Sequence, residues 1–127
     1  MEKKAFIIIL IAALLLTLTP NFLTAEEPGG IGLAVLQLYH HDIKDHRGPI
    51  VVLDVLLNGP ALSAGVEKGD IITHVDGKST SKKDFDYILT EMLRGPAGTS
   101  VTLTIRRTSS NHTFNMTLDR IVSLGLY

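Results

Sequence analysis

The sequence predicts a small mixed α/β (α+β) domain, a partly open β-barrel of five to six strands with one short and one long helix. Three observations support this fold class. Apolar, β-branched stretches recur along the chain and alternate with polar residues in its last third, as strands do. One stretch repeats apolar residues at helical spacing. Short polar or glycine-containing turns separate all of these stretches, so the elements pack around a single core.

The predicted strands follow one another closely. Five stretches are read as strands, at residues 31–39, 50–57, 71–75, 100–107 and 114–118. The last two alternate apolar and polar residues, which predicts that one face of each is buried. Asp76-Gly77 is typical of a hairpin turn.

Two helices are predicted between these strands. A short one occupies residues 61–64, and a longer one runs from Ser81 to about residue 94. Ser81 is the expected N-cap, with Asp84 three residues later forming a weak capping box. The apolar face of the longer helix has five members: Phe85, Ile88, Leu89, Met92 and Leu93. The glycines and proline at 95–98 end this helix.

The N-terminus has the three regions of a secretory signal peptide. A basic start precedes an almost entirely apolar run at residues 5–18, and Ala25 supplies a small residue for cleavage. The run is shorter than the roughly 20 residues of a spanning helix, which favours cleavage over a permanent membrane anchor. The predicted boundaries are a signal peptide at 1–25, a mobile leader at 26–29, a folded domain at 30–121 and a tail at 122–127. The domain is therefore expected to be exported, in the periplasm or secreted.

Composition excludes several classes of function. Removing residues 1–25 takes two lysines and one glutamate from 12 basic and 13 acidic residues, so the net charge changes from −1 to −2. No basic stripe is visible, which argues against nucleic-acid binding. The absence of cysteine excludes disulfides, thiolate metal sites and a lipid-modified cysteine anchor. No cofactor is predicted.

A histidine-rich stretch was weighed as a metal site. It contains His40, His41, Asp42, Asp45 and His46, which are suitable ligands for zinc or copper. We interpret it instead as a solvated loop between strands, because a flexible loop rarely preorganises four ligands. His74 is expected to be structural, and Arg106 and Arg107 are expected to be a solvated strand end.

Four segments resemble PDZ domains, most closely the PDZ module of bacterial tail-specific (C-terminal processing) serine proteases. They are Gly-Ile-Gly-Leu at 30–33, GPALSAGVEKGDIITHVDG at 59–77, the helix from Ser81, and LRGPAGTSVTLTIRR at 93–107. The resemblance covers about residues 30–107 and extends to about 121. It implies binding of an extended peptide rather than catalysis.

The resemblance and simple backbone chemistry predict the same binding loop. Successive amides of Ile31, Gly32 and Leu33 can converge on a terminal carboxylate if glycine lets the backbone curl. A peptide can then add to the free edge of the following strand. The predicted carboxylate-binding residues are Gly30, Ile31, Gly32 and Leu33, and the predicted groove residues are Ala34, Val35, Phe85, Leu89 and Met92.

The resemblance leaves two registers for the helix that forms the second wall of the groove. One register uses Phe85, Leu89 and Met92, and the other uses Asp86, Thr90 and Leu93. We prefer the first because it gives an apolar groove, and we therefore expect an apolar last residue in the ligand. Many of these side chains must also belong to the core of so small a domain.

No catalytic residues are predicted. Ser63 lacks the Gly-x-Ser-x-Gly elbow, because Ala61 replaces the first glycine. The resemblance places the family's catalytic serine and lysine in a domain downstream of the PDZ module, so they are expected to have no counterparts in these 127 residues. The chain is therefore not expected to be an enzyme.

Three functions remain open at the level of sequence. The first is a stand-alone exported PDZ domain that binds peptides or protein C-termini with an apolar last residue, as an adaptor or regulator of a protease or envelope complex. The second is a non-catalytic fragment of a tail-specific serine protease. The third is an assembly component of a secretion apparatus that contacts a membrane protein through another face.

Overall fold

The computed structural model of the chain describes residues 27–41 and 44–122. The second helix, α2, begins as an α-helical turn at Phe85–Tyr87 and continues in π-helical geometry at Ile88–Leu93. The strands are β1 (Pro28–Gly30), β2 (Leu33–Tyr39), β3 (Arg47–Val55), β4 (Ile71–Val75), β5 (Lys78–Ser79), β6 (Gly95–Pro96), β7 (Ser100–Arg107), β8 (His112–Asp119) and β9 (Ile121–Val122), and the helices are α1 (Pro60–Ala64) and α2 (Phe85–Tyr87 followed by Ile88–Leu93).

The main sheet has six antiparallel strands and does not close into a barrel. Its order is β2-β3-β4-β7-β8, and β5 pairs with β4. The predicted fold class is confirmed, because the structure is a mixed α/β domain with an open sheet, one short helix and one longer helix. Strand β2 lies at one edge of this sheet, and β8 lies at the other.

The apolar core lies between the inner face of the sheet and α2. The predicted alternation in β7 is confirmed, since Val101, Leu103 and Ile105 are buried. The core-facing side of α2 is also as predicted. Its buried members are Ile88, Leu89, Met92 and Leu93, with the half-buried Phe85 packed against them. Burial of this face stabilises a nine-residue helix that would be marginal in isolation.

A small second sheet replaces the expected mobile leader. Pro28–Gly30 forms β1, which pairs with β6 on one side and β9 on the other. The close approach requires glycine, because a Cβ at Gly29 would lie 2.8 Å from the backbone of Ala97. Proline and glycines are typical of loops, so backbone pairing with distant segments was not visible in the local pattern.

The start of α2 also differs from prediction. The helix begins at Phe85 rather than Ser81, and Asp84 occupies the N-cap position without a side-chain capping bond. The Asp84 carboxylate instead accepts a hydrogen bond from Arg47 Nη1 at 3.0 Å. Lys82 has a φ of +59°, outside the helical region. A tertiary ion pair therefore replaces the predicted capping box.

None of the helices in the described part of the chain is long and apolar enough to cross a membrane. The predicted signal peptide at 1–25 lies outside the described residues.

Candidate functional site

In the loop between β1 and β2, the carbonyl groups of Ile31 and Gly32 both point toward the segment that runs from Leu56 to Ala61. The Ile31 carbonyl accepts a hydrogen bond from the Ala61 amide, and the Gly32 carbonyl accepts one from the Leu56 amide, each at 2.9 Å. These peptide bonds are trans, so the following amide points away from each carbonyl. The N–H groups of Gly32 and Leu33 therefore both point away from the turn that carries Leu56 and Ala61.

The pairing register directs the backbone N–H and C=O groups of Leu33 away from β3. Leu33 lies opposite Val55, and the Leu56-to-Gly32 bond makes these two residues a non-hydrogen-bonded pair. In such a pair, the N–H and C=O groups of Leu33 point away from β3. Since β2 is an edge strand, these groups face the open side of the sheet, where an extended chain could be added.

Gly32 permits this geometry. Its φ of +77° lies in the left-handed region that favours glycine. A Cβ at this position would lie 3.3 Å from both Gly59 Cα and Leu56 Cβ. The neighbouring Gly30 ends β1 and lies opposite Ile121. The predicted loop is thus a fixed turn, held from one side by the chain that leads into α1.

The apolar residues predicted to hold the last peptide residue are buried. Ile31 and Leu33 have no exposed surface, and Leu89 and Met92 are only 4% and 6% exposed. Of the other predicted groove residues, Ala34, Val35 and Phe85 are half-buried. A ligand side chain would therefore reach Leu89 and Met92 only after α2 and β2 separate slightly.

The residues of the alternative register divide between core and surface. Asp86 and Thr90 are exposed, and Thr90 Oγ1 donates to the Asp86 carbonyl at 2.7 Å. Leu93 is fully buried. Which face of α2 meets a ligand stays a prediction.

A polar clasp joins β2 to the start of α2. Gln37 is buried in β2, and its Nε2 donates to the Lys83 carbonyl at 3.0 Å and to the Gly48 carbonyl at 3.3 Å. Arg47 in β3 adds its ion pair with Asp84. The clasp fixes the distance between the β2 edge and α2 at the end remote from the Ile31–Leu33 loop. The sequence offered one signal for it, a lone amide at an inward position of an apolar strand.

The ion pair between Arg47 and Asp45 shifts the pKa values of both groups. Hydrogen bonds from the Arg47 side chain and backbone lower the pKa of the Asp45 carboxyl to about 2. The Asp45 hydrogen bonds likewise raise the pKa of Arg47. Both groups therefore stay charged over the whole physiological range.

The other end of α2 is held by Arg120, which the sequence analysis did not identify. This guanidinium is 8% exposed and donates to the carbonyls of Leu93 at 3.0 Å, Met92 at 3.2 Å and Ser100 at 3.1 Å. A cation that binds the last carbonyls of a helix also interacts favourably with the helix dipole. A Cβ at Gly95 would lie 2.8 Å from the guanidinium, so a larger residue there would displace the Arg120 side chain.

Arg107 is not the solvated strand end that the sequence suggested. Its Nε and Nη2 donate to the two carboxylate oxygens of Asp70 at 3.0 and 2.9 Å, and Nη2 also donates to the Gly65 carbonyl at 2.8 Å. Asp70 is almost completely buried. This bidentate pair connects the turn after α1 to the end of β7, and its hydrogen bonds raise the pKa of Arg107.

Within residues 27–41 and 44–122, no group of three histidine, aspartate or glutamate side chains is placed to hold a metal ion. Asp42, one member of the histidine-rich stretch, lies outside these residues.

Comparison with known sequences identifies the same family. The PDZ domain profile matches residues 51–107. A carboxy-terminal-processing protease from Bartonella bacilliformis is 38% identical over 84 residues, which are 66% of this chain and 17% of the protease. A probable CtpA-like serine protease from Staphylococcus haemolyticus is 40% identical over 60 residues, or 47% of this chain and 12% of the relative. The chain thus spans less than a fifth of each relative.

Solved structures share the fold. The photosystem II D1 C-terminal processing protease matches with a TM-score of 0.61 and 29% identity, covering 80% of this chain and 25% of that protein. The PDZ domain of the carboxy-terminal protease from Vibrio cholerae, solved in complex with a peptide, matches with a TM-score of 0.58 and 22% identity, covering 73% of this chain and 93% of that domain. The chain therefore contains a PDZ domain, and the proteins similar to it include carboxy-terminal-processing and CtpA-like serine proteases.

Proposed function

We propose that this PDZ domain binds peptides or protein C-termini by strand addition to β2. The observation that carries the proposal is the orientation of the Gly32 and Leu33 amides, which point away from the turn that holds the neighbouring carbonyls. Two successive amides that both point to the open side are suited to a carboxylate. The outward C=O group of Leu33 can then accept a hydrogen bond from the ligand backbone. Peptide capture needs no catalytic group from this domain.

The ligand is expected to end in an apolar residue. The apolar side chains of Ile31, Leu33, Leu89 and Met92 belong to one core cluster, which Ile31 and Leu33 join to the loop. Since these side chains are buried, binding includes a small displacement of α2, which costs part of the interaction energy. A short peptide also loses conformational entropy when it is ordered, so affinity should be modest, on the order of micromolar.

The wider role that we infer is that of an exported adaptor or regulator. The N-terminal sequence favours export, and the relatives are carboxy-terminal-processing proteases, whose name describes action at protein C-termini. A domain that recognises such ends would present them to a protease or to another envelope complex.

A library of peptides with free C-termini, repeated as C-terminal amides, tests the binding proposal. The full chain, kept in solution with a mild nonionic detergent, should bind free acids with an apolar last residue at least about tenfold more tightly than the matched amides, because amidation removes the charged acceptor. Equal binding of acids and amides would contradict a role for the Ile31–Leu33 amides. Absence of any binding would contradict the function itself.

A second candidate is the peptide-recognition module of a tail-specific protease. The observation in its favour is that both relatives named above are proteases, and that the matched segment makes up only 17% and 12% of their lengths. Sequencing the coding region on the 3′ side of residue 127 distinguishes the candidates. A continuous reading frame encoding a serine and lysine protease domain would favour this second reading over a stand-alone adaptor.

A further inference from the structure

A cavity of about 470 Å³ lies where β3, β4 and β7 meet the turn that contains β5. Basic and hydroxyl side chains dominate its lining, and none of the described residues that line it is an aspartate or glutamate. The polar members that matter here are His40, Arg47, His74, Ser79, Ser81 and Arg106. The cavity therefore combines positive charge with hydrogen-bond donors and lacks an opposing carboxylate in its own wall.

Arg106 supplies the available positive charge. Arg47 is already paired with Asp45 and Asp84, so little of its charge is uncompensated. Arg106 is exposed, and no carboxylate in the described part of the chain forms an ion pair with it. Its position in β7 directly opposite Ile71 places it on the sheet face away from the core. An exposed guanidinium that has no carboxylate partner among the described residues can donate two parallel N–H groups to an anion.

Neutral donors surround this charge. Ser79 Oγ accepts a hydrogen bond from the Ser81 amide at 3.1 Å, so its own proton remains for another acceptor. Thr73 Oγ1 donates to the Thr104 carbonyl at 3.3 Å, so His74 Nδ1 is the donor in its 3.0 Å contact with Thr73 Oγ1, and Nε2 of the neutral ring is an acceptor. His74 therefore lines the cavity without adding a neutral donor. The donors Ser79 and Arg106 come from two different strands, β5 and β7.

We propose that this cavity binds a phosphate-type oxyanion, either inorganic phosphate or a phosphate monoester. A tetrahedral anion with three or four acceptor oxygens matches a guanidinium fork combined with hydroxyl donors. A carboxylate has only two oxygens and would leave some of these donors unused. The volume also leaves room beside the phosphate for the small organic group of a monoester, either free or as a lipid headgroup.

Titration of the isotope-labelled full chain with phosphate compounds tests this proposal by NMR. The probes are inorganic phosphate, glycerol 3-phosphate and detergent micelles with or without phosphatidic acid, at constant ionic strength. Saturable shifts should appear at Ser79, Ser81, His74 and Arg106. Arg106→Gln should weaken binding at least about tenfold, because a charge-assisted bidentate contact is lost. Lys68→Gln is the matched control, since it removes an exposed charge that does not line the cavity.

Each outcome decides a specific point. Saturation by glycerol 3-phosphate supports a soluble ligand, and saturation only by phosphatidic acid micelles supports a lipid headgroup; either supports the site if Lys68→Gln binds normally. Failure of all three probes to saturate would overturn the proposal. Equal losses in Arg106→Gln and Lys68→Gln would also overturn it, because they would indicate nonspecific attraction to charge.

Discussion

At the scale of single residues, Gly32 determines whether the candidate carboxylate loop can form. We expect Gly32→Ala to weaken binding of free-acid peptides at least about tenfold, since a Cβ at φ +77° would force apart the contacts with Gly59 and Leu56 and turn the amides away from their target. Gly69→Ala is the matched control. Gly69 has a φ of +86°, but a Cβ there meets nothing within 4 Å. Isothermal titration and thermal melting of both variants separate lost binding from general backbone strain. Unchanged affinity in Gly32→Ala would show that the loop does not hold the carboxylate.

At the scale of elements, the Asp70–Arg107 pair fastens the turn after α1 to β7. Asp70→Asn should lower the free energy of unfolding by about 2–3 kcal/mol, below the roughly 3–5 kcal/mol of a fully buried pair, because the Arg107 side chain keeps 20% exposure. Glu67→Gln removes the exposed, longer contact of the same guanidinium at 3.4 Å, and should cost less than about 1 kcal/mol. Urea denaturation measures both. Equal effects of the two substitutions would mean that burial of Asp70 contributes nothing.

The elements also show which features a sequence can predict. Strands β4 and β7 have the predicted bounds, because a run of β-branched residues and a clear alternation depend only on neighbours along the chain. The predicted start of α2 was wrong, and a leader was predicted where β1 lies. Both features depend on partners that are distant along the chain: Asp84 pairs with Arg47, and β1 pairs with β6 and β9. Gln37 bonds to a carbonyl 46 residues away, and Arg120 to one 27 residues away. No local pattern encodes contacts of this range. The curl of the backbone at Gly32 was predictable, because a positive φ favours glycine; that this loop binds a carboxylate stays a prediction.

At the scale of the whole molecule, the net charge is small, but ion pairs connect several segments. Acid should therefore destabilise the fold, because it protonates the carboxylates of these pairs. The folded pKa of Asp45 is about 2, below the ordinary value of 3.8, and the pKa of Asp54 is also lowered, first by the Val55 amide and then by Lys68. A depressed carboxyl pKa stabilises the folded state above the unfolded value, and this contribution is lost as pH falls through the folded value. We therefore expect the Tm to fall between pH 3.8 and 2, and Asp45→Asn to reduce that fall. Asp86→Asn, at an exposed site without an ion pair among the described residues, should leave the slope unchanged. Thermal melts across this range would contradict the assignment if both variants kept the full slope.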